Sequence, residues 1–587
     1  MGLPGFFAWL LKNFKNKILL KRLNERPDHF YIDSNCLFHP ECNRIKEYYT
    51  GKKTNNLEKY MFERIKNYLT YLYTFVDAKK INGTMVDGVC PLAKMSQQRK
   101  RRYKAIDESI VKNNLKRKHN KIVDTSWNNT VITPGTEFME RLHQELLKYF
   151  KNMKSNTTHI YSSYHTPSEG EHTILQHIKQ NVSKDDVVVI YGLDADLIFL
   201  AMTSGIENIY LLRESLHFGI KTDDDELYDP LTDVAQELMY VSVKSIKEAF
   251  NEQMRLLINS KSKNLHIPNL NIPDDLDFSN DLVVICFLLG NDFLPHFPSI
   301  HIHKGGLDSI LDGYIDTLID INMSELLTSM NKGNITINST FFTIFLEKMG
   351  NKEHIYFKET LPKFNSMSNR KKCYAHDDYS RELWNIDNLK SFKINDPIKL
   401  GFGSEDDWKF RYYEYYFGVI EHQEEFIEEL VKLYLEGIMW VSKYYFESCP
   451  DWKWHYPYDQ SPFISDIVKY IKKYNININD INFELHEPIN AMTQLITVLP
   501  PASSSLMAQT YREIALSDDS PIIYMFPKRT QLDMLHKSFY WQCIPKLPPI
   551  DIDKIVNETK HKNLTKDEQK RNETLDNFIF KNKNNLA

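Results

Sequence analysis

A doubly wound, mainly parallel α/β sheet followed by a mainly helical second region is the architecture that the residue pattern predicts. Two observations point to the sheet. Short apolar runs alternate with stretches of helical periodicity through the first half of the chain, and carboxylates stand where apolar runs end. Both features are expected when parallel strands deliver their carboxyl ends to one edge of an open sheet. The helical region is predicted by aromatic and aliphatic residues that recur at helical spacing from Trp408 to Phe446, broken only by Gly418 and Gly437. Such a stripe reads as buried helical core.

In chain order, buried strands are predicted at Phe30-Tyr31-Ile32, Thr84-Met85-Val86, His159-Ile160-Tyr161 and Val187 to Tyr191, with helices at Tyr60 to Phe75 and Glu137 to Phe150 between them. Residues 1–310 therefore form one α/β domain. From Ile321 to Lys399 the rhythm fades into Asn, Lys, Ser and isolated aromatics, so 311–407 is expected to be an irregular connection with some helix. Residues 408–550 make the second folded region, punctuated by Pro450, Pro457, Pro462, Pro500 and Pro501. Residues 551–587 are expected to be a polar tail, in which Thr565-Lys566-Asp567-Glu568 can start a short helix through a capping box.

Composition narrows the class. A chain of 587 residues with 42% hydrophobic and 13% aromatic content can bury a sizeable core and form two or three domains. The net charge of -5 does not suggest a uniformly basic nucleic-acid binder, yet eleven Lys or Arg lie between Lys94 and Lys121 against only Asp107 and Glu108. Charge is partitioned along the chain. The seven cysteines are scattered without a C-x-x-C pair, which fits neither a disulfide framework nor a zinc site and points to a reducing intracellular compartment. The N-terminal residues carry neither a signal peptide nor a myristoylation signal. The longest apolar run, Leu282 to Leu289, is less than half a membrane span, so no membrane association is expected.

The chemistry is carried by acids. Asp33, Asp87, Glu169, Glu171, Asp194, Asp196 and Asp292 all follow or end apolar segments. Any one of them could be a helix cap, but Glu169-Gly170-Glu171 and Asp194-Ala195-Asp196 repeat an i, i+2 spacing that aims both side chains one way. So many converging carboxylates need cations to stay ionised. Oxygen-only ligands without a His or Cys cluster select hard ions, so two Mg²⁺ or Mn²⁺ ions are expected, in a site for phosphodiester hydrolysis. Seven residues beyond Asp87, Lys94, Gln98, Arg101 and Arg102 share one helical face and offer two guanidinium forks, an ammonium and an amide to a terminal phosphate. Arg99, Lys100 and Lys104 point elsewhere on the same helix. His39 can stack on a base, with Trp452 or Trp454 as the opposing plate.

With these residues in place, the sequence resembles the Xrn/Rat family of 5′-to-3′ exoribonucleases. The resemblance is carried by Met1-Gly-Leu-Pro-Gly-Phe-Phe7, Tyr31-Ile-Asp-Ser-Asn-Cys-Leu-Phe-His39, Val86 to Arg102, Ile132 to Met139, Ser168-Glu-Gly-Glu-His172, Tyr191-Gly-Leu-Asp-Ala-Asp-Leu-Ile198 and Gly290-Asn-Asp-Phe-Leu-Pro-His296. Further matching blocks follow at Tyr434 to Trp440, Trp452 to Tyr458, Leu499 to Ser503 and Asp519 to Ile523. The resemblance implies a nuclease fold related to PIN and flap-endonuclease domains, and a helical region that encloses the active site. It implies that the seven acids bind the metals and that Lys94, Gln98, Arg101 and Arg102 hold a 5′ monophosphate. It also implies that His39 and one of Trp452 and Trp454, with Trp454 preferred, sandwich the terminal base. Capped or triphosphorylated ends would be too bulky and too charged. Two departures stand out: Ser168 replaces a common Gly, and Leu92 a frequent basic residue. The long C-terminal extension of the large cytoplasmic members is expected to be missing.

The expected activity is processive, metal-dependent degradation of 5′-monophosphorylated single-stranded RNA to 5′-mononucleotides. The alternatives are a structure-specific flap-type DNA nuclease, which the acids alone would also serve, and a non-catalytic RNA-binding decay factor. A monomer is expected, with decapping machinery as a partner that supplies suitable ends, in the cytoplasm or a viral factory ahead of the nucleus.

Overall fold

The computed structural model describes residues 5–50, 56–123, 127–192, 194–218, 229–267, 270 and 272–581. Its first part runs α1 (Phe6–Ile18), β1 (Leu19–Leu20), β2 (His29–Asp33), α2 (Ser34–Tyr49), α3 (Leu57–Val76), β3 (Ile81–Met85), α4 (Leu92–Lys118), α5 (Glu137–Asn152), β4 (Thr158–Ser162), α6 (Gly170–Asn181), β5 (Val188–Tyr191), α7 (Asp196–Thr203), β6 (Ile209–Glu214), β7 (Leu238–Ser242), α8 (Val243–Asn264) and α9 (Ser279–Phe287). The strands form an eight-stranded sheet in the order β1-β7-β6-β5-β2-β3-β4, with a short strand at Phe578–Phe580 on the far edge. β6, β5, β2, β3 and β4 are parallel; β7 runs against β6, β1 runs against β7, and the C-terminal strand runs against β4.

β2 is the pivot. The chain moves from it to β3 and β4 on one side, then returns to β5 and β6 on the other, so the order reverses between β2 and β5. Ligand sites of open α/β sheets form at the carboxyl ends of strands flanking such a reversal. All five residues of β2 and all four of β5 are buried, as expected of strands covered by helices on both faces. α2, α3 and α5 cover one face, where Phe30, Leu69 and Phe138 share a core. α1, α7, α8 and α9 cover the other.

That second face has no outer boundary within the α/β domain. Its core runs without interruption from Phe6, Val188 and Leu282 into Trp408, Tyr434, Trp440 and Phe463. The second region is therefore condensed onto the sheet domain around one shared core. Its main element is a helix, Gln423–Phe446. A further cluster packs Cys90, Leu92 and Met95 at the start of α4 against Met492, Leu495 and Ile496 of the Ala491–Val498 helix. Leu92, which replaces a basic residue, is thus buried at this joint, and its N–H donates to the Trp452 carbonyl at 2.9 Å.

Several elements differ from the sequence expectations. The strand expected at Thr84-Met85-Val86 begins earlier, at Ile81. β6 and β7 pair antiparallel and extend the sheet beyond the predicted strands. The segment expected to be irregular holds a hairpin (Thr328–Asn331 and Asn334–Ile337) and helices at Ser339–Gly350 and Asp378–Asp387. Its buried Phe341, Phe345 and Phe357 join the common core. The segment expected to be a polar tail folds as helices Ile552–Lys560 and Lys566–Arg571, the second with the predicted capping box, and then as the edge strand. It is anchored by Arg571 Nη1 donating to the Gly135 carbonyl at 2.6 Å and by Lys570 Nζ lying 2.8 Å from Glu140 Oε1. The Glu573 carbonyl accepts from His165 Nδ1 at 2.8 Å. Pairing on β4 satisfies backbone groups that an open edge would expose.

Candidate active site

Six of the seven predicted acids meet at the strand ends. Asp33 closes β2, Asp87 follows β3, Glu169 and Glu171 flank the first residue of α6, Asp196 opens α7 and Asp292 follows α9. Gly170 shows how tightly they are gathered. Its N–H donates to Asp87 Oδ1 at 2.7 Å. A Cβ there would lie 2.9 Å from the Met85 carbonyl oxygen and 3.3 Å from both Asp33 Oδ1 and Asp87 Oδ1. Only glycine lets the start of α6 fit between the two carboxylates, where its dipole favours negative charge.

On the other side of the cage Lys94 Nζ lies 2.6 Å from Glu169 Oε1 and 2.9 Å from Asp292 Oδ2. The consequences appear in the proton affinities. Burial, and after it the charges of Asp33 and Glu169, push Asp87 up to about 7. Burial and then Asp292 push Asp196 up to about 6. Asp33 and Glu171 are also raised, burial being the main cause in each. Asp292 differs: burial favours its neutral form, but Lys94, by charge and by hydrogen bond, together with other nearby positive charge including Arg101 holds it below the usual carboxylate range. Lys94 is raised in turn: despite burial, Asp292, Glu169, Glu171 and Asp196 all favour its charged form. Among the described residues a single ammonium contacts this set of six carboxylates, so the cage calls for more positive charge.

The seventh acid is placed differently. Asp194 Oδ1 accepts from the Asp196 N–H at 3.4 Å, shaping the turn into α7, and the Asp194 carbonyl accepts from buried Arg213 Nη2 at 2.7 Å. A local backbone role for Asp194 is the one directly visible.

The donor set fits a hard cation. It is all oxygen, and Asp196 Oδ1 is buried with no hydrogen-bond partner among the described residues. As the side chains stand, no three His, Cys, Asp or Glu groups among the described residues are arranged to hold an ion. Lys94 accounts for this in part, since its ammonium occupies the position between Glu169 and Asp292.

The second region supplies groups that the residue pattern did not flag. Tyr444, near the end of the Gln423–Phe446 helix, donates its hydroxyl to Glu169 Oε2 at 2.6 Å. Tyr445 sets its hydroxyl against Asp196. Tyr444 stacks on His172 at 4.2 Å, Trp440 on Tyr444 at 5.0 Å and Trp454 on Trp440 at 5.4 Å. Gly437 permits this packing, because a Cβ there would come within 2.5 Å of Leu294 and 3.0 Å of the Trp454 ring. The only advance signal was the aromatic periodicity, which reads equally well as core.

The cationic cluster forms on α4 as its spacing predicts, with one qualification. Arg102 donates to Gln98 Oε1 at 3.1 Å and to Thr133 Oγ1 at 2.9 Å. Arg101 is exposed and adjoins them, whereas Lys94 is turned into the acid cage. Arg99, Lys100 and Lys104 reach the Pro548 carbonyl, Asp459 and the Trp541 carbonyl respectively, so all three face the second region. Burial, followed by Arg101 and Arg102, pushes His39 down to about 4, which places a neutral imidazole beside the guanidinium groups. Trp452 meets the start of α4 through its carbonyl, and Trp454 belongs to the aromatic stack. Among the described residues neither tryptophan makes a ring contact with His39.

Ser168 has φ of 141°, a backbone region that favours glycine. It is held there by donating its N–H to the Val89 carbonyl and accepting from the Gly88 N–H, each at 2.8 Å. This explains the glycine expected at the position.

Fold and site together define an α/β protein with a cage of carboxylates at its strand ends beside a cationic cluster on α4. The chain matches the model described as XRN 5'-3' exonuclease N-terminus over residues 1–215, and the Xrn1 helical domain over 275–384 and 367–587. It belongs to the Xrn family of 5′-3′ exoribonucleases. Human 5'-3' exoribonuclease 1 is 29% identical over 98% of this chain and 35% of its own length. The Drosophila melanogaster 5'-3' exoribonuclease 2 homolog is 26% identical over 99% of this chain and 73% of its own. Saccharomyces cerevisiae 5'-3' exoribonuclease 1 is 25% identical over 99% and 44%. The chain thus spans about a third of the human relative's length.

Two substitutions probe the local arguments. Tyr444→Phe removes the hydroxyl that orients Glu169 and is expected to weaken Mn²⁺ binding by ~10-fold or more in calorimetry, without loss of fold; unchanged affinity would remove Tyr444 from the site. Ser168→Gly relieves the backbone strain and is expected to raise stability by roughly 1 kcal/mol in thermal unfolding. A lower melting temperature would contradict that reading.

Proposed function

We propose that this protein is a processive, metal-dependent 5′-to-3′ exoribonuclease that degrades single-stranded RNA bearing a 5′ monophosphate and releases 5′-mononucleotides. The observation that carries this reading is the sharing of α4 between the two halves of the site. Lys94 touches the acid cage, while Gln98 and Arg102 lie about 6 and 12 Å further along the helix at 1.5 Å rise per residue. That interval suits a terminal phosphate in the seat with the first phosphodiester at the carboxylates. RNA as substrate and the 5′-to-3′ direction rest on the names of the relatives, which are 5'-3' exoribonucleases.

Asp33, Asp87, Glu169, Glu171, Asp196 and Asp292 are the residues that would hold divalent ions, two by the number of acids, with Asp194 at the margin. Bound there, Mg²⁺ or Mn²⁺ would polarise the phosphoryl oxygens and lower the pKa of a water. The chain's own residues do the positioning. Tyr444 and the Gly170 N–H fix Glu169 and Asp87, Gln98 and Thr133 pre-set the Arg102 fork for planar phosphate oxygens, and neutral His39 offers a flat face to a base. A cap or triphosphate exceeds what this short cationic set accommodates. The seven free cysteines support a reducing intracellular location, for which we propose the cytoplasm or a viral factory ahead of the nucleus. We infer a monomer that acts after decapping has exposed a monophosphate.

Asp196→Ala is expected to reduce release of mononucleotides from 5′-phosphorylated RNA to background while filter binding of the RNA persists; undiminished cleavage would defeat the assignment of the acids. Arg101→Ala is expected to lower the kcat/KM preference for 5′-monophosphate over 5′-hydroxyl RNA by ~10-fold, the scale of one charge-assisted hydrogen bond. An unaltered ratio would refute the seat.

A further inference from the structure

Beside the acid cage, along the ridge of α4 that carries Gln97, Arg101 and Lys104, the second region leaves a cavity of about 360 Å³. Its walls include Asp292 of the cage and Arg101 of the seat, but neither His39 nor Arg102. The volume lies at the small end of the range for small-molecule sites. We propose that this cavity binds a free nucleoside 5′-monophosphate, the product of the reaction proposed above, after it leaves the carboxylates.

Charge is the first argument. Both wall carboxylates near α4 are neutralised: Asp292 by Lys94 at 2.9 Å and Asp459 by Lys100 at 2.5 Å. Arg101 and Lys537 line the same space, and neither has an ion pair among the described residues. Two uncommitted cations facing paired acids leave a net positive chamber, which suits a phosphate monoester.

Unmet hydrogen bonding is the second. Asn291 Oδ1 accepts from the Phe293 and Leu294 N–H groups, which fixes its amide, and Nδ2 has no partner. Gln97 Nε2 donates to Asp292 Oδ1, leaving Oε1 without one. His301 Nδ1 is likewise unpartnered. Gln97, Asn291 and His301 all line the cavity, so its wall carries polar side chains whose hydrogen bonding is incomplete among the described residues.

A stacking surface is the third. Trp541 lines the cavity and is 50% exposed, unusual for the largest side chain. It is steadied by the edge of His303 at 6.0 Å and by Phe539 stacked at 6.2 Å. An exposed indole fixed by other rings is the form of plate on which a base stacks.

The test is calorimetric titration of the full chain with 5′-AMP and 5′-UMP in chelator, with adenosine as the arm lacking phosphate. Wild type is expected to bind nucleotide in this cavity as well as in the seat, and adenosine more weakly. Lys537→Met and Trp541→Ala, both at partly exposed positions, are each expected to weaken the cavity's share of binding by ~10-fold or more. Arg102→Ala, within the seat, is expected to remove only the seat's share and leave the cavity's nearly unchanged. In turnover, the Lys537 and Trp541 variants should keep the single-turnover rate of first cleavage and show a raised inhibition constant for added 5′-AMP. Nucleotide binding that Arg102→Ala abolishes and Lys537→Met leaves intact would place the ligand in the seat and overturn the proposal. Variants that weaken only oligonucleotide binding would overturn it in favour of an RNA path, and no binding at all would dismiss it. Titration needs no turnover. A chain that binds 5′-AMP here yet does not cleave RNA would refute the proposed activity and leave this site standing.

Discussion

The constraint on which this structure depends is the repulsion among six carboxylates packed at the carboxyl ends of a parallel sheet. Burial alone would protonate most of them, and Asp87, Asp196 and Glu171 are indeed shifted that way. What holds the group together is a network of donors from unrelated parts of the chain: the Gly170 N–H, the Tyr444 hydroxyl and the Lys94 ammonium. Lys94 contributes most, since it bridges Glu169 and Asp292, which belong to elements more than a hundred residues apart in sequence. Because Lys94 sits on the same helix as Gln98, Arg101 and Arg102, the basic cluster and the acid cage are electrostatically one.

The second region is inseparable from this arrangement. Because its core is continuous with the α1 side of the sheet, the Gln423–Phe446 helix is held at a fixed height above the strand ends. Tyr444 can then act as a hydrogen-bond donor to a buried carboxylate and not as a loosely placed surface group. The stack from His172 through Tyr444 and Trp440 to Trp454 passes rigidity from α6 to the loop that carries the tryptophans. Displacing the helix would withdraw the Tyr444 hydroxyl and leave Glu169 Oε2 without its donor, with Lys94 alone on the other oxygen. Aromatic packing and acid placement thus constrain each other.

How much of this was legible in the sequence follows from which forces act locally. The parallel strands were readable because strands buried on both faces are continuous apolar runs, and the acids because they end those runs. The α4 cluster was readable because helical spacing is rigid. Asp194 and Asp196 look alike by pattern, and only the structure distinguishes the turn contact of the one from the burial of the other. Tyr444 was hidden for a related reason: a phenol that donates to a carboxylate and one that fills a core have the same periodicity. The C-terminal segment was misread because its composition is polar, while its anchoring depends on distant partners, Gly135, Glu140 and β4. Lys94 was assigned to a phosphate by its neighbours in sequence, and only three-dimensional proximity reveals its contact with the acids.

The basic run of α4 illustrates how charge is used here. Arg99 is committed to second-region carbonyls, Lys100 to Asp459, Lys104 to the Trp541 carbonyl, Lys112 to Glu108 and Asp387, and Lys118 to Glu382. Lys121 lies over the Tyr379 ring. Most of the helix is therefore a strut that ties the second region together, and a polyanion laid along it would have to displace existing partners. The cations left for a ligand are concentrated near the acid cage, at Arg101 and Arg102. Most of the positive charge on α4 is thus consumed within the fold, so a net charge of -5 coexists with a locally cationic spot beside the acids.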